Sequence, residues 1–315
     1  MFIIKTIFKR VLVSVPILIG TTFVCCIILR IGPLDPVRTY LSSSNLRTTQ
    51  ENIDLFTTKL GLDKSIFTQY FEWLRQIFSG HFGNSFYTDT PIIDELIARV
   101  PVTLLLVIIA IMIAITVSIP LGTYSALKNG GTFDKLFRFF TFLGAVMPQF
   151  LFAYLLIIIF SIHLKILPFQ GNGSIIHFVL PSVTLSLAII TMYSRIIRTS
   201  VLEAFQAPYV EFAYIRGIPE RTIIMHHVLP RALRPVITAI GINIGKLFAG
   251  TVLVEQIFGL PGVGQYFIEA LIHRDYPVIQ AIIFISALVV LFGNLLSDII
   301  LAIMSPDIMH EEEEK

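Results

Sequence analysis

Residues 102–121 read VTLLLVIIAIMIAITVSIPL, and none of them carries a charged side chain. About 20 apolar residues in an α-helix cross the roughly 30 Å hydrocarbon layer of a bilayer. This run is therefore predicted to be a transmembrane helix, and it sets the fold class of the chain.

The composition of the whole chain agrees with that interpretation. Of 315 residues, 55% are hydrophobic and 14% are charged, and the mean hydropathy is +0.81. Soluble domains contain about 25% charged residues, so the chain is predicted to be an integral membrane protein. A net charge of +2 is too small to indicate nucleic-acid binding. Adjacent Cys25 and Cys26 lie in an apolar run and are expected to pack as small residues.

Five further apolar runs are long enough to cross the bilayer. They are Val11–Leu29, Phe139–Ile162, Ile175–Tyr193, Val236–Phe258 and Val278–Met304. An all-α protein with six transmembrane helices is therefore predicted. The first run follows basic residues, as a signal peptide does, but it is longer than the usual apolar region of a signal peptide and lacks a small-residue cleavage site. It is expected to remain as a helix.

Basic residues in short loops predict the orientation, because Lys and Arg accumulate on the cytoplasmic side. Three segments carry them: Lys5, Lys9 and Arg10; Lys128, Lys135 and Arg138; and Arg195, Arg198, Arg216, Arg221, Arg231 and Arg234. All three segments fall on one side of a six-span alternation. Both termini are therefore predicted to be cytoplasmic, with the long stretch from about Ile31 to Arg99 on the opposite side.

Residues 211–230, EFAYIRGIPERTIIMHHVLP, form a polar and basic island between two apolar runs. Five of its residues have the spacing E-x-A-x-x-x-G followed by L-P, namely Glu211, Ala213, Gly217, Leu229 and Pro230. This spacing resembles the EAA loop of ABC importer permeases, although Phe212 stands where that family often has a second Ala. The resemblance implies that the loop docks on a partner ATPase. The alternative is an ordinary amphipathic loop helix that ends at Gly217.

Other segments, spread over nearly the whole chain, resemble the first permease subunit of the peptide and nickel importer family. They are FKRVLVSVPILIG at 8–20, Asp35-Pro36, GLDKSIFTQYFEWL at 61–74, HFGNSF at 81–86, VEQIFGLPGVGQY at 254–266 and HRDYPVIQ at 273–280. Residues 29–49 look closer to nickel permeases than to dipeptide or oligopeptide permeases.

This resemblance implies a type I ABC importer permease in a bacterial inner membrane. The expected partners are a second, similar permease subunit, two ATPase subunits and an extracytoplasmic substrate-binding protein. The expected substrate is nickel, free or chelated, with di- or oligopeptides as the alternative. The chain itself is expected to bind no cofactor, because ATP is used by the partner subunits.

The chain divides on this interpretation into an N-terminal helix (1–30), an extracytoplasmic segment (31–99), a permease core (100–304) with a coupling loop at 195–234, and an acidic tail (305–315). The extracytoplasmic segment is predicted to form two short helices between Thr49 and Phe78, broken at Gly61. Their apolar face is interpreted either as a cap on the membrane surface or as a docking surface for the binding protein. These two interpretations are compatible.

The family pattern implies that the translocation path lies in spans five and six, where Asn243, Lys246 and Glu255 are candidate path residues. A charged side chain at mid-membrane costs about 2.5 to 3.5 kcal/mol, so Lys246 is predicted to face a partner helix or a watery path. Two alternatives are that Lys246 pairs with Asp298 and that it snorkels to an interface. The stripe of Gly241, Gly245 and Ala249 is predicted to pack against a neighbouring helix.

The segment after span five ends in Arg274 and Asp275, which are candidates for an outer gate. They are predicted either to pair with each other or to lie in a solvated loop. The preceding GLPGVG at 259–264 lacks the strand, Lys and Ser or Thr of a phosphate-binding loop.

Catalytic and metal-binding patterns are absent from the sequence. No HExxH, no GxSxG and no regular cage of His, Cys or carboxylate residues is present. The chain is therefore predicted to be a transport subunit without a catalytic site of its own. A passive channel is the remaining alternative, but it would leave the basic loop between spans four and five without a purpose.

Overall fold

The structure, a computed structural model, describes residues 2–31, 36–43, 47–59, 61, 63–171 and 173–304. Its α-helices, in chain order, are α1 (Phe2–Ile31), α2 (Pro36–Ser43), α3 (Gln50–Lys59), α4 (Ile66–Phe78), α5 (Ile92–Leu127), α6 (Thr132–Val146), α7 (Gln149–Leu156), α8 (Val179–Phe205), α9 (Pro208–Ile215), α10 (Glu220–Ile223), α11 (Leu229–Ala232), α12 (Arg234–Phe258), α13 (Val263–His273) and α14 (Tyr276–Met304). Short π-helical segments cover Ile157–His163 and Ile224–Val228, and a 3₁₀ turn covers Ile175–Phe178. The described residues contain no named strand, and the predicted all-α class is confirmed.

Four helical segments are long and apolar enough to cross a membrane: Leu12–Arg30, Ile92–Leu127, Ile175–Phe205 and Tyr276–Ile300. Two bent pairs raise the number to as many as six if each pair is one span: Thr132–Val146 with Gln149–His163, and Glu220–Gly241 with Asn243–Phe258. The prediction of six spans therefore agrees with the structure only if both bent pairs are counted as spans.

The predicted third span, Phe139–Ile162, is bent in the structure. Its two halves, α6 and α7, meet at an angle of 105°. Pro148 sits at the corner, and the preceding Met147 has an extended ψ of 122°. Proline has no N–H to continue a helix and forces the residue before it away from the α region, which accounts for the break.

Helix α8 is the centre of the core, and it packs against α5, α6, α7 and α12. The contact with α5 depends on Gly122, because a Cβ there would lie 2.5 Å from the carbonyl oxygen of Ser194. Glycine thus allows the two backbones to approach closely, as small residues do between membrane helices.

Helices α12 and α14 meet along the predicted small-residue stripe. A Cβ on Gly241 would overlap the side chain of Ser297, and one on Gly245 would lie 3.2 Å from Val290. The hydroxyl of Ser297 donates a hydrogen bond of 2.7 Å to the carbonyl of Ile237. The predicted packing role of Gly241 and Gly245 is confirmed.

The segment before α5 contains the two predicted short helices, α3 and α4. They are separated at Gly61, whose φ of 66° lies in the left-handed region that favours glycine. Helix α4 begins after Ser65, whose hydroxyl accepts a hydrogen bond from the backbone N–H of Thr68. The acidic tail at 305–315 and the Asp35 part of the family pattern lie outside the described residues.

Candidate coupling surface and transport path

The coupling segment, residues 208–232, is a chain of short helices that folds back between α8 and α12. Pro208 occupies the first turn of α9, where its missing N–H costs nothing. Helix α9 ends at Ile215, and Gly217 follows with a φ of 70°. Pro219 then precedes α10. A glycine in the left-handed region therefore reverses the chain between the two helices.

The five motif residues of the coupling segment point in different directions. Ala213 is buried and Leu229 is half-buried, whereas Glu211, Gly217 and Pro230 are exposed. The buried alanine anchors α9 to the core, and the other three residues lie on the exposed surface of the segment. The structure thus places the motif on one continuous segment without bringing its five side chains into one cluster.

Exposed apolar side chains accompany the motif. Phe212 is 66% exposed and Ile215 is 74% exposed, and Met225 on the following π-helical turn is 53% exposed. A group of exposed apolar residues on one segment is typical of a protein interaction site. Phe212, the departure from the usual alanine, therefore adds apolar surface and does not disturb the packing of α9.

Tyr209 and Arg231 hold the two ends of the coupling segment together. The Arg231 guanidinium lies 4.4 Å from the centroid of the Tyr209 ring, a cation–π contact. On α9 itself, burial and then the nearby Glu220 carboxylate raise the pKa of Tyr214.

A cleft of about 390 Å³ separates the coupling segment from the end of α5. Its lining residues are Tyr124, Leu127, Lys128, Glu220, Arg221, Ile224 and Met225. The basic loop after α5 and the coupling segment consequently form one surface, as the predicted orientation requires of two segments on the same side of the membrane.

Asp134 organises the loop between α5 and α6, a role that the sequence analysis missed. The side chain is fully buried. It accepts hydrogen bonds from Arg198 Nε at 2.6 Å, from the Ser125 hydroxyl at 2.7 Å and from the Gly130 N–H at 3.1 Å. The signal in the sequence was a single acid in an otherwise basic loop, but its partner on α8 is 64 positions away.

A second cavity, of about 190 Å³, lies between α7, α8 and α12 and includes two of the three candidate path residues. Its polar lining consists of Gln149, Tyr193, Asn243 and Lys246, and its apolar lining of Leu185, Ala188, Ile189, Met192, Leu247 and Gly250. The lining carries one cation and no carboxylate.

Asn243 and Lys246 differ in how they are held in this cavity. Asn243 is buried, and its amide donates to the Ala239 carbonyl at 2.6 Å. Lys246 is exposed in the single chain. Within the described residues no ion pair joins Lys246 to Asp298, so the paired alternative is not the arrangement found.

Glu255, the third candidate path residue, does not line this cavity. It is fully buried and accepts hydrogen bonds from Thr103 Oγ1 at 2.7 Å, from the Gly264 N–H at 2.7 Å and from the Gln265 N–H at 3.1 Å. A Cβ on Gly262 would overlap its carboxyl group. Glu255 therefore fixes the turn that leads into α13, and its separation from Lys246 is nine residues, about 13 Å along α12.

The candidate gate residues Arg274 and Asp275 differ, because Arg274 is exposed whereas Asp275 is buried and bonded to another loop. Asp275 is buried, and its carboxylate accepts hydrogen bonds from the N–H groups of Phe86 at 3.1 Å and Tyr87 at 3.3 Å. The Ser85 hydroxyl also donates to it. Arg274 is exposed, with a φ of 56°. Asp275 is occupied by backbone donors of the 85–87 loop, which explains why it does not pair with Arg274.

Metal ligands do not gather anywhere in the part of the chain that the structure describes. No group of three or more His, Cys, Asp or Glu side chains in that part could hold a metal ion. The four long apolar helices and the two bent pairs define a multi-pass helical membrane protein, and the coupling segment exposes apolar side chains.

Two family models match the chain. Residues 118–310 match the inner membrane component of binding-protein-dependent transport systems, and residues 3–107 match the N-terminal part of the same component. The chain belongs to this family, the permease subunits of ABC importers, and has the type I permease fold that its resemblance implied. In such importers the permease works with ATPase and substrate-binding partners.

Relatives with names for peptide and for nickel transport are both similar to the chain over most of its length. The oligopeptide transport system permease protein AppB of Bacillus subtilis is 35% identical, covering 96% of this chain and 98% of the relative. The dipeptide transport system permease protein DppB of Lactococcus lactis is 31% identical, covering 84% of this chain and 87% of the relative. The nickel import system permease protein NikB of Staphylococcus aureus is 30% identical, covering 97% of this chain and 92% of the relative. The predicted family is confirmed, and these similarities leave the substrate open.

Proposed function

We propose that this chain moves small peptides into the cytoplasm, recognising a substrate carboxylate at Lys246. The observation that carries the proposal is the cavity between α7, α8 and α12, whose lining has one lysine and no acidic residue. The Lys246 ammonium attracts an anionic group and repels a bare divalent cation. Gln149 and Asn243 add neutral hydrogen-bonding groups beside it.

Nickel in an anionic chelate is the second candidate substrate. It is favoured by the 29–49 stretch, which resembles nickel permeases, and by the similarity to NikB over 97% of this chain. A chelator that carries carboxylates would meet Lys246 as a peptide does. Free Ni²⁺ fits this cavity less well, because imidazole and carboxylate ligands are missing from its lining.

The assembly that we propose has this chain beside a second, similar permease subunit, with two ATPase subunits on the side of the coupling segment and a binding protein on the side of residues 31–99. Both termini are then cytoplasmic in a bacterial inner membrane. The exposed Phe212, Ile215 and Met225 supply apolar contact to an ATPase, and Glu211, Gly217 and Pro230 lie on the same segment. ATP is used by those partners, and this chain holds no cofactor.

Competitive uptake tests the substrate. Cells with and without the chain are given a radioactive dipeptide, radioactive nickel alone, or nickel with a carboxylate chelator. We expect chain-dependent uptake of the peptide, inhibited by unlabelled peptides with a free carboxylate and not by their amides. Chain-dependent uptake of nickel alone that peptides do not inhibit would overturn the proposal.

A further inference from the structure

Helix α4 has three distinct faces. One is buried and contains Tyr70, Leu74 and Ile77. A second is apolar but exposed: Phe67, Phe71 and Phe78 are 63%, 61% and 73% exposed and lie four and seven residues apart. That spacing aligns their side chains along one side of the helix. The third face is polar, with Thr68, Glu72, Arg75 and Gln76 exposed.

Contacts with α1 fix how deep α4 lies along that helix. The Tyr70 hydroxyl donates to the Ile19 carbonyl at 2.9 Å and lies 2.7 Å from the Thr22 hydroxyl. The apolar span of α1 ends at Arg30. Ile19 and Thr22 are eleven and eight residues before Arg30, which is about 17 and 12 Å along a helix axis. The contact is therefore made beside the hydrocarbon-crossing part of α1.

Contacts of α4 with helix α14 indicate a similar depth and do not depend on the contacts with α1. The Trp73 ring meets Phe284 edge-on, with 5.9 Å between ring centroids, and Ile77 belongs to one cluster with Leu18 and Phe284. Phe284 is eight residues into α14 from Tyr276, about 12 Å along the axis. The contacts with α1 and α14 thus place α4 beside the bilayer-crossing region, on the side of Arg30 that faces the membrane interior.

The exposed phenylalanines are continuous with exposed apolar residues of α1. Phe67 stacks on Phe23 of α1 with 5.3 Å between ring centroids. On α1 itself Val24 and Ile28 are 53% and 65% exposed within the span. Residues at that depth on a spanning helix face acyl chains unless another protein covers them.

We propose that α4 is an interfacial helix embedded in the bilayer leaflet at the Arg30 end of α1, with Phe67, Phe71 and Phe78 among the acyl chains. Its polar face carries Glu72, which forms an exposed ion pair of 2.7 Å with Lys64. Aromatic residues on one side and charged residues on the other are typical of helices that lie in a membrane interface. In the predicted orientation this leaflet is the outer one.

Tryptophan fluorescence tests the proposal, because Trp73 is the single tryptophan of the chain. In a Trp73→Phe background, Phe71→Trp and Glu72→Trp place one probe on each face. The full chain is reconstituted in phosphatidylcholine vesicles with or without brominated acyl chains. We expect the probe at 71 to emit at shorter wavelength and to be quenched several-fold more by bromolipid than the probe at 72. Aqueous iodide should quench the probe at 72 instead.

Cysteine labelling in cells is the second measurement and leaves Trp73 in place. Phe71→Cys and Gln76→Cys are compared in a chain without Cys25 and Cys26, with an impermeant maleimide added to spheroplasts. We expect the cysteine at 71 to react about tenfold more slowly, since acyl chains exclude the reagent. Equal labelling, or equal iodide quenching of the two tryptophans, would overturn the proposal. Protection of position 71 only after a binding protein is added would assign the face to that protein.

Discussion

Arg198 on α8 holds the buried carboxylate of Asp134 on α6 through two hydrogen bonds, Nε to Oδ1 at 2.6 Å and Nη2 to Oδ2 at 3.0 Å. Two parallel bonds of this kind make the strongest type of side-chain ion pair. The pair joins the loop after α5 to the end of α8, which leads directly into α9. It therefore positions the coupling segment relative to the first half of the core.

Loss of Arg198 should destabilise the protein far more than loss of its neighbour Arg138. Arg198→Met leaves a buried carboxylate without its main partner, which costs about 3 to 5 kcal/mol. Arg138 is 55% exposed and contacts the same carboxylate at 3.2 Å, so Arg138→Met should cost about 1 kcal/mol or less. Thermal unfolding of the purified variants in detergent measures both. Similar melting temperatures for the two would show that the Asp134–Arg198 pair is not the stabilising contact.

Gly217→Asp should leave membrane insertion intact and abolish transport. With φ at 70°, a side chain strains the backbone by about 1 to 2 kcal/mol. A Cβ meets nothing within 4 Å in this chain, so the harm should come from strain and from the contact with the ATPase.

Gly80→Asp is the matched control, because Gly80 has a φ of 80° and equally open surroundings but lies far from the coupling segment. It should transport normally. Substrate-stimulated ATP hydrolysis by the reconstituted complex is the measurement, and normal stimulation in Gly217→Asp would refute the coupling role.

The orientation can be tested with cysteines at Thr48 and Pro219, both of which are exposed. In a background without Cys25 and Cys26, an impermeant thiol reagent is added to spheroplasts before and after permeabilisation. The cysteine at 48 should react at once, and the cysteine at 219 only after permeabilisation. Immediate reaction of both would rule out the predicted topology.

Lys246→Met should insert normally, because it removes a charge that costs about 2.5 to 3.5 kcal/mol in the membrane. Transport of a dipeptide should fall, and transport of the matching peptide amide should change little. Asp298→Asn, alone and combined with Lys246→Met as a double variant, is the control for an electrostatic interaction between Lys246 and the Asp298 carboxylate. If Lys246→Met and the double variant both transport at the unmutated rate, Lys246 is structural and does not line the path.

Asp275→Asn should loosen the 85–87 loop without unfolding the chain. The asparagine keeps the shape but loses the charge that strengthens three hydrogen bonds, at a cost of about 1 to 3 kcal/mol. Hydrogen exchange of the Phe86 and Tyr87 amides should accelerate. Asp89→Asn, in the same loop and exposed, is the control, and equal exchange in both variants would contradict the anchoring role.

The sequence predicted the elements that depend on local patterns. Apolar runs gave the spans, and Gly61 and Gly217 marked chain reversals because a left-handed backbone favours glycine. The corner at Pro148 could also have been predicted, since proline cannot continue a helix, but the uninterrupted hydrophobicity on both sides of it hid the break.

Contacts between distant positions could not be predicted in this way. Asp275 carries no local sign that it binds residues 85–87, and Glu255 has none that it binds Thr103. Phe86 lies 189 positions from Asp275, and Thr103 lies 152 positions from Glu255. A single sequence shows that a buried acid needs donors but does not show where they are.

The contact of Asp275 with Ser85 also has a consequence for how the chain is made. The two residues are 190 positions apart, so the earlier one leaves the ribosome long before its partner exists. At roughly 5 to 20 residues per second, synthesis of the intervening chain takes about 10 to 40 s. During that interval the 85–87 loop lacks the carboxylate that anchors it, and its contacts are completed only after Asp275, just before α14, has been made.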